Sequence, residues 1–87
     1  MSKAKEKQPI PKWFNGEIYK KGNVVQNRFG GESCELNALE LSIYDFIIGA
    51  SDMVELGMHH DKLIIDLRKG LDWFKKYNAK AYMVLLD

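Results

Sequence analysis

The chain has 87 residues, of which 29% are charged and 46% hydrophobic, and its formal net charge is +1. This length limits it to one domain, which buries only about 60–65% of its unfolded surface. The composition is that of a soluble globular protein, and charged residues interrupt the longest apolar run, which excludes a membrane span. The single cysteine excludes an internal disulfide, and no signal peptide is visible, so we expect a cytoplasmic protein.

The charge is unevenly distributed along the chain. Residues 1–28 carry seven basic and two acidic side chains, a net charge of +5, whereas the remainder carries six basic and ten acidic side chains. Residues 1–11 are polar and lysine-rich, so we predict a disordered basic arm there and a single α+β domain over 12–87. A basic arm on an acidic body can attract nucleic acid; the competing interpretation is an arm that only keeps the protein soluble.

β structure is predicted over about 17–36, after an aromatic pair that should anchor the chain on the core. Short strands over 17–21 and 24–28 flank Gly22-Asn23, a dipeptide suited to a tight hairpin turn because both residues tolerate positive φ. A second reversal follows at two glycines, and polar and apolar residues then alternate over 33–36, as in a half-buried strand. Such short strands are marginally stable alone, so we expect them to pack on a helix.

The longest helix is predicted over about 38–56, and the sequence carries signals for both of its ends. Asn37 and Glu40 have the spacing of a capping box, in which each side chain accepts a hydrogen bond from the other residue's amide. Gly57 can adopt the left-handed conformation that ends a helix in a Schellman motif. The helix is therefore expected to be well defined at both ends.

This helix has two apolar faces. One follows the usual i, i+3, i+4, i+7 spacing, and a second set, Leu41, Tyr44 and Ile48, lies roughly opposite. A helix on a protein surface needs only the first face to pack on the core. We therefore expect the second face to be covered by the strands or by another subunit.

Two more helices are predicted over about 61–77 and 79–86. The link between the first two helices is short, so they should run antiparallel, and Gly70 should let them approach closely. The last helix is apolar nearly all round and must also be covered. The predicted fold class is α+β: a short antiparallel β-hairpin or meander packed on an antiparallel helix pair, plus a short C-terminal helix.

No set of residues has the spacing of a catalytic site. His59-His60-Asp61 is the only cluster that resembles a metal or acid–base site, but adjacent loop histidines rarely point the same way, so we interpret them as neutral loop residues. Cys34 has no cationic activator nearby in the sequence and is interpreted as a small core residue. We therefore predict a non-enzymatic protein with no catalytic residues, no metal and no cofactor.

Four stretches of the sequence share a resemblance. They are GGESCELN (30–37), ELSIYDFIIGA (40–50), GLDWF (70–74) and AYMVLLD (81–87). Together they resemble small hypothetical proteins of marine bacteriophages, notably those that infect cyanobacteria, over residues 16–87. The resemblance implies a context, the cytoplasm of an infected bacterium or the virion, with a host or virion protein as partner. It implies no activity.

The predicted function is that of a non-catalytic interaction protein that self-associates as a homo-oligomer and binds a protein partner. The reason is that a chain this small cannot easily bury both the second helix face and an apolar C-terminal segment. The interface candidates come from those two surfaces: Leu41, Tyr44, Ile48, Tyr82, Val84 and Leu85. The alternative is a nucleic-acid-binding module that uses the basic arm and the hairpin. Its candidate contact residues are Lys12, Trp13, Lys20, Lys21 and Arg28.

Overall fold

The computed structural model describes residues 8–14, 16–58 and 60–86. The fold is α+β, as predicted: a two-stranded antiparallel sheet packs with two long helices and a short C-terminal helix. The elements are β1 (Asn23–Gln26), β2 (Ser33–Leu36), α1 (Ala38–Glu55), α2 (Asp61–Tyr77) and α3 (Ala79–Ala81), which continues as a single π-helical turn, Tyr82–Leu86.

Both ends of α1 are built as the sequence predicts. The Asn37 side chain accepts from the Glu40 amide at 2.8 Å, and the Glu40 carboxylate accepts from the Asn37 amide at 2.8 Å. At the other end Gly57 has a φ of 97°, and the Met58 amide donates to the Met53 carbonyl at 3.0 Å. The capping box and the Schellman motif are therefore both confirmed.

The hairpin turns at a different place from the predicted one. In the register of β1 and β2, Asn23 is opposite Leu36 and Gln26 is opposite Ser33, so the chain reverses over residues 27–32. The second predicted reversal, at the two glycines, therefore makes the hairpin. β2 lies against α1 and the C-terminal segment, and β1 pairs with β2.

The predicted strand over 17–21 and the predicted turn at Gly22-Asn23 are wrong. Gly22 lies against the end of β2, where a Cβ atom would be 1.9 Å from the carbonyl oxygen of Leu36. Glycine is needed there because two backbone segments approach closely. A glycine beside a strand can therefore indicate a close backbone contact as well as a turn. Residues 17–21 form neither strand nor helix, and Tyr19 contacts α1, where its amide donates to the Ser42 hydroxyl at 2.8 Å.

The two long helices cross at Gly70, as expected. A Cβ atom on Gly70 would lie 2.9 Å from Cγ1 of Ile47 in α1 and 3.4 Å from the indole of Trp13. The missing side chain therefore lets α1 and α2 approach closely. Around this crossing lies a core drawn from β2, both long helices and the C-terminal segment: Leu36, Ile43, Tyr44, Ile47, Trp73, Phe74, Ala81 and Leu85.

The second apolar face of α1 is covered within the chain. Tyr44 is only 6% exposed and belongs to the core, while Leu41 and Ile48 are half-buried and pack against it. In the C-terminal segment Leu85 is buried and Tyr82, Val84 and Leu86 are half-buried, whereas Met83 is 68% exposed. The expectation that so small a chain cannot cover both surfaces is therefore corrected.

Two residues of the arm predicted over residues 1–11 are hydrogen-bonded to the helices. Residues 1–7 lie outside the described residues. Gln8 donates to the Glu40 carboxylate at 2.6 Å, and the Pro9 carbonyl accepts from the Trp73 indole N–H at 3.2 Å. Gln8 and Pro9 therefore contact the folded body, because their polar groups are hydrogen-bonded to side chains of α1 and α2.

Candidate functional site

The tip of the hairpin is held against the helices by side-chain bonds. The Arg28 guanidinium lies 3.1 Å from the Asp52 carboxylate of α1. The Asn27 amide donates to the Val84 carbonyl at 2.6 Å, and its oxygen accepts from the Phe29 amide at 2.7 Å. These bonds fix the backbone of the turn relative to α1 and the π-helical turn.

The same turn carries the most exposed large apolar side chain among the described residues. Phe29 is 93% exposed, with the Arg28 guanidinium 5.7 Å from its ring centroid. Single exposed apolar residues are common on protein surfaces and need no explanation by themselves. This one is different because it borders a groove of mixed polar and apolar lining.

We call this feature the tip groove. It is a cavity of about 240 Å³ between the hairpin tip, α1, α2 and the C-terminal segment. Six apolar residues line it together with a cation, a hydroxyl and a carboxylate, and its exposed surface is about equally polar and apolar: Phe29, Ile47, Ile48, Leu71, Leu85 and Leu86, with Arg28, Ser51 and Glu55. Beyond Glu55, the chain exposes Leu56 (80%) and Met58 (40%). The surface around the C-terminal end of α1 therefore carries several exposed apolar side chains.

The structure separates the predicted interface residues. Ile48 and Leu85 line the tip groove, although Leu85 is buried, and Tyr44 is buried in the core. Leu41, Tyr82 and Val84 are half-buried and pack against the core. Sequence reasoning missed Phe29, whose signal was available: a phenylalanine inside a glycine-rich turn, between polar residues, has no strand or helix face on which to be buried.

The predicted nucleic-acid residues are also divided. Lys12, Lys20 and Lys21 are exposed, and Arg28 is exposed but paired with Asp52. The ring centroids of Trp13 and Phe46 are 5.6 Å apart, and Trp13 lies in edge contact with Phe14. Trp13 therefore anchors the chain on the core, which is the role expected for the aromatic pair, and does not form an open stacking platform.

A second groove lies where the 16–19 segment follows α1, and we call it the aromatic groove. It has a volume of about 320 Å³ and is lined by Phe14, Gly16, Glu17, Tyr19, Ser42, Asp45 and Phe46. The Tyr19 hydroxyl donates to the Asp45 carboxylate. That hydrogen bond and then the charge of Asp45 raise the pKa of Tyr19 above its ordinary value of 10.0, so the phenol is neutral at physiological pH.

A buried polar cluster, the polar seam, joins the start of α1 to the end of α2. Glu40 is fully buried, and its carboxylate accepts from Gln8 at 2.6 Å, from the Asn37 amide at 2.8 Å and from the Asn78 side chain at 2.8 Å. Asn37 also donates to Gln8 at 3.0 Å. A carboxylate with these donors is a structural element, because its bonds are directed inward to the chain's own groups.

The remaining chemistry-bearing residues form no centre in the part of the chain described. Among those residues, no group of three or more histidines, cysteines or carboxylates is placed to hold a metal ion. His60 is exposed at the N-cap of α2, and His59 lies outside the described residues. Cys34 is half-buried opposite Val25 and packs against the core, as a small apolar residue does.

Comparison with family models, with curated proteins and with solved structures finds no match for this chain. The resemblance to marine phage proteins therefore stays a prediction. Within the described residues, every helix is too short or too polar to cross a membrane.

Proposed function

We propose that this chain is a non-catalytic interaction protein that self-associates through the tip groove. The observation that carries the proposal is Phe29, which is 93% exposed beside a groove whose lining combines apolar side chains with a cation and a carboxylate. An aromatic side chain gains most from entering such a pocket on a partner, because it buries about 150–250 Å². Aromatic anchors of this kind supply much of the binding energy of protein interfaces.

The occupant proposed for the groove is Phe29 of a second copy. A two-fold dimer brings the same patch of both subunits together, so each Phe29 enters the other groove and the contact is made twice. The charges in the groove suit this arrangement, since Arg28 and Glu55 both line it. In a two-fold pair the arginine of each copy can lie near the glutamate of the other, which sets the register.

The resemblance to marine phage proteins supplies the proposed setting. In that setting the protein acts in the cytoplasm of an infected bacterium or in the virion, and a host or virion protein is a further partner. Nucleic-acid binding, the alternative predicted from the sequence, ranks second. Two of its five candidate residues are engaged within the fold, Trp13 by packing and Arg28 by its ion pair.

The test is sedimentation velocity from low micromolar to millimolar concentration, on the wild type and on Phe29→Ser. We expect a concentration-dependent dimer in the wild type and a dissociation constant raised about tenfold or more in the variant, since losing an anchor costs more than ~1.4 kcal/mol. The matched control is Ile65→Ser on α2, which removes a side chain that is 51% exposed and lies outside the groove lining.

Two results would overturn the proposal. One is a wild-type monomer throughout the concentration range. The other is an equal loss of association in the Phe29 and Ile65 variants, which would show a general effect of surface hydrophobicity.

A further inference from the structure

The aromatic groove has a chemical character unlike that of the tip groove. Three aromatic side chains line it, Phe14, Tyr19 and Phe46, and the Phe14 and Phe46 rings meet edge to face with centroids 6.3 Å apart. Both charged side chains in the lining, Glu17 and Asp45, are carboxylates. The site therefore combines apolar ring surface with negative charge.

These two features select one class of ligand. The face of an aromatic ring carries partial negative charge and attracts a cation within about 6 Å of its centroid. A small metal ion gains little from ring surface, because Ca²⁺ and Mg²⁺ require several oxygen ligands. A cation with an apolar covering, such as an alkylammonium group, gains from the rings and from the carboxylates together.

The part of the groove that lies outside the helices is fixed in place by hydrogen bonds. The Tyr19 amide donates to the Ser42 hydroxyl at 2.8 Å, and Ser42 in turn donates to the Ala38 carbonyl at 2.8 Å. At its other end the Tyr19 phenol donates to Asp45. Tyr19 is thus held at backbone and side chain although its segment is neither helix nor strand, and less freedom remains to be lost when a ligand binds.

Glycine at position 16 keeps the backbone close to the aromatic wall. A Cβ atom there would lie 2.9 Å from Cζ of Phe14 and 3.1 Å from Cε1. The bare backbone can therefore lie against the edge of the Phe14 ring, and the ring keeps its place in the lining.

We propose that the aromatic groove binds an organic ammonium group. Two sources have this chemistry, a free quaternary ammonium compound such as choline and the lysine or trimethyl-lysine side chain of a partner peptide. In either case the rings contact the methyl or methylene groups, and Asp45 and Glu17 neutralise the charge. This site is independent of the tip groove, since the two share no lining residue.

The experiment is a ¹⁵N NMR titration of the full chain with choline chloride at constant ionic strength. The comparison ligand is 3,3-dimethylbutan-1-ol, which has the shape of choline without the charge. We expect choline to shift the amides of residues 16–19 and 42–46 and to bind at least about fivefold more tightly than the alcohol. Equal affinity for the two compounds would overturn the proposal, because it would show a purely apolar site.

Two matched variants on α1 locate the contact. Asp45→Asn removes a carboxylate of the groove and should weaken choline binding about fivefold, whereas Asp52→Asn, two helical turns further along α1 and outside the groove lining, should leave it unchanged. The far-UV spectrum and the dispersion of the NMR spectrum confirm that each variant is folded. Equal losses in the two variants would assign the effect to general surface charge and overturn the site.

Three versions of one short peptide distinguish the sources. They carry lysine, trimethyl-lysine or the uncharged norleucine at one position. Tighter binding of a cationic peptide than of choline assigns the groove to a peptide partner, and the reverse assigns it to a free amine. If choline and all three peptides leave the groove amides unshifted, the proposal fails.

Discussion

The two ends of α1 reverse the usual distribution of polar and apolar groups. At its N-terminal end a carboxylate, Glu40, is fully buried, whereas at its C-terminal end Leu56 is 80% exposed. The hairpin tip beside that second end exposes Phe29. One helix thus begins with a charge inside the protein and ends among apolar side chains outside it.

The difference distinguishes a carboxylate whose hydrogen bonds are made within the fold from apolar side chains that the fold leaves exposed. The buried charge is accounted for by the fold, because Gln8, Asn37 and Asn78 all donate to it. The exposed apolar end is not accounted for in this way, since the turn bonds hold the backbone of Phe29 and leave its ring in water. Exposed apolar surface next to a groove is where an interaction is to be sought.

The largest expected effect is at the buried end. Glu40→Ala removes the fully buried acceptor of the polar seam and leaves the donors on Asn37 and Asn78, which are half-buried, without it. We expect the free energy of unfolding to fall by about 3 kcal/mol, since several part-buried donors lose a charged acceptor at once and a polar group left without its partner inside the protein costs ~1–3 kcal/mol. Urea denaturation measures this change. Glu55→Ala, an exposed glutamate on the same helix, should change stability by less than ~0.5 kcal/mol.

The outcome for Glu40 decides whether the polar seam is structural. A loss below ~1 kcal/mol would mean that its hydrogen bonds stabilise the fold no more than bonds to water do. The two ends of α1 would then not differ in what they contribute to the free energy of unfolding.

A smaller effect is expected at the crossing between the two ends. Gly70→Ala places a methyl group 2.9 Å from Cγ1 of Ile47, a core side chain that is only 1% exposed and would have to shift. The cost of this overpacking exceeds the ~1 kcal/mol that alanine gains over glycine in a helix. We expect a net destabilisation of about 1 kcal/mol, measured as a shift of the urea midpoint.

Gly49 is the matched control for Gly70. It is also a helical glycine, but a Cβ atom there would meet nothing within 4 Å. Gly49→Ala should therefore stabilise the protein by ~1 kcal/mol through helix propensity alone. If both variants change stability in the same direction, close packing at the crossing is not the reason for Gly70.

Helical parts of this fold could be predicted because their signals are local. The bounds of α2 agree with the predicted range of 61–77, and the caps of α1 lie where Asn37, Glu40 and Gly57 placed them. Each of these signals acts within one or two turns of its own helix. These signals therefore act in the same way however the rest of the chain packs.

The hairpin and both grooves depend on long-range contacts, so they were harder to predict from the sequence. Gly22 has the local signature of a turn, but its use is set by Leu36, fourteen residues away. The pairing of Tyr19 with Asp45 likewise joins segments that only the fold brings together. Phe29 was visible as an apolar residue without a face, yet the groove beside it needed the structure.

The smallest effect on stability is expected at the exposed end, from Arg28→Ala. The ion pair of Arg28 with Asp52 is 3.1 Å long, but the two side chains are 40% and 48% exposed. Such a pair contributes less than ~0.5 kcal/mol, and the bonds of Asn27 still hold the turn. Stability in urea should therefore hardly change. The dimer should nevertheless weaken about twofold to fivefold at low salt, because Arg28 is proposed to lie near Glu55 of the other copy.

Sedimentation velocity of the Arg28 variant at low and high salt checks this second expectation, and Asp52→Asn separates the two roles of the arginine. Removing Asp52 breaks the internal pair but leaves the cation of the tip groove free to face a second subunit, so association should be retained. If Arg28→Ala instead costs more than ~1 kcal/mol in urea, the ion pair is what positions the tip. The hairpin tip at the C-terminal end of α1 would then contribute to folding stability, as Glu40 does at the N-terminal end. The contrast between the two ends would not hold for Arg28.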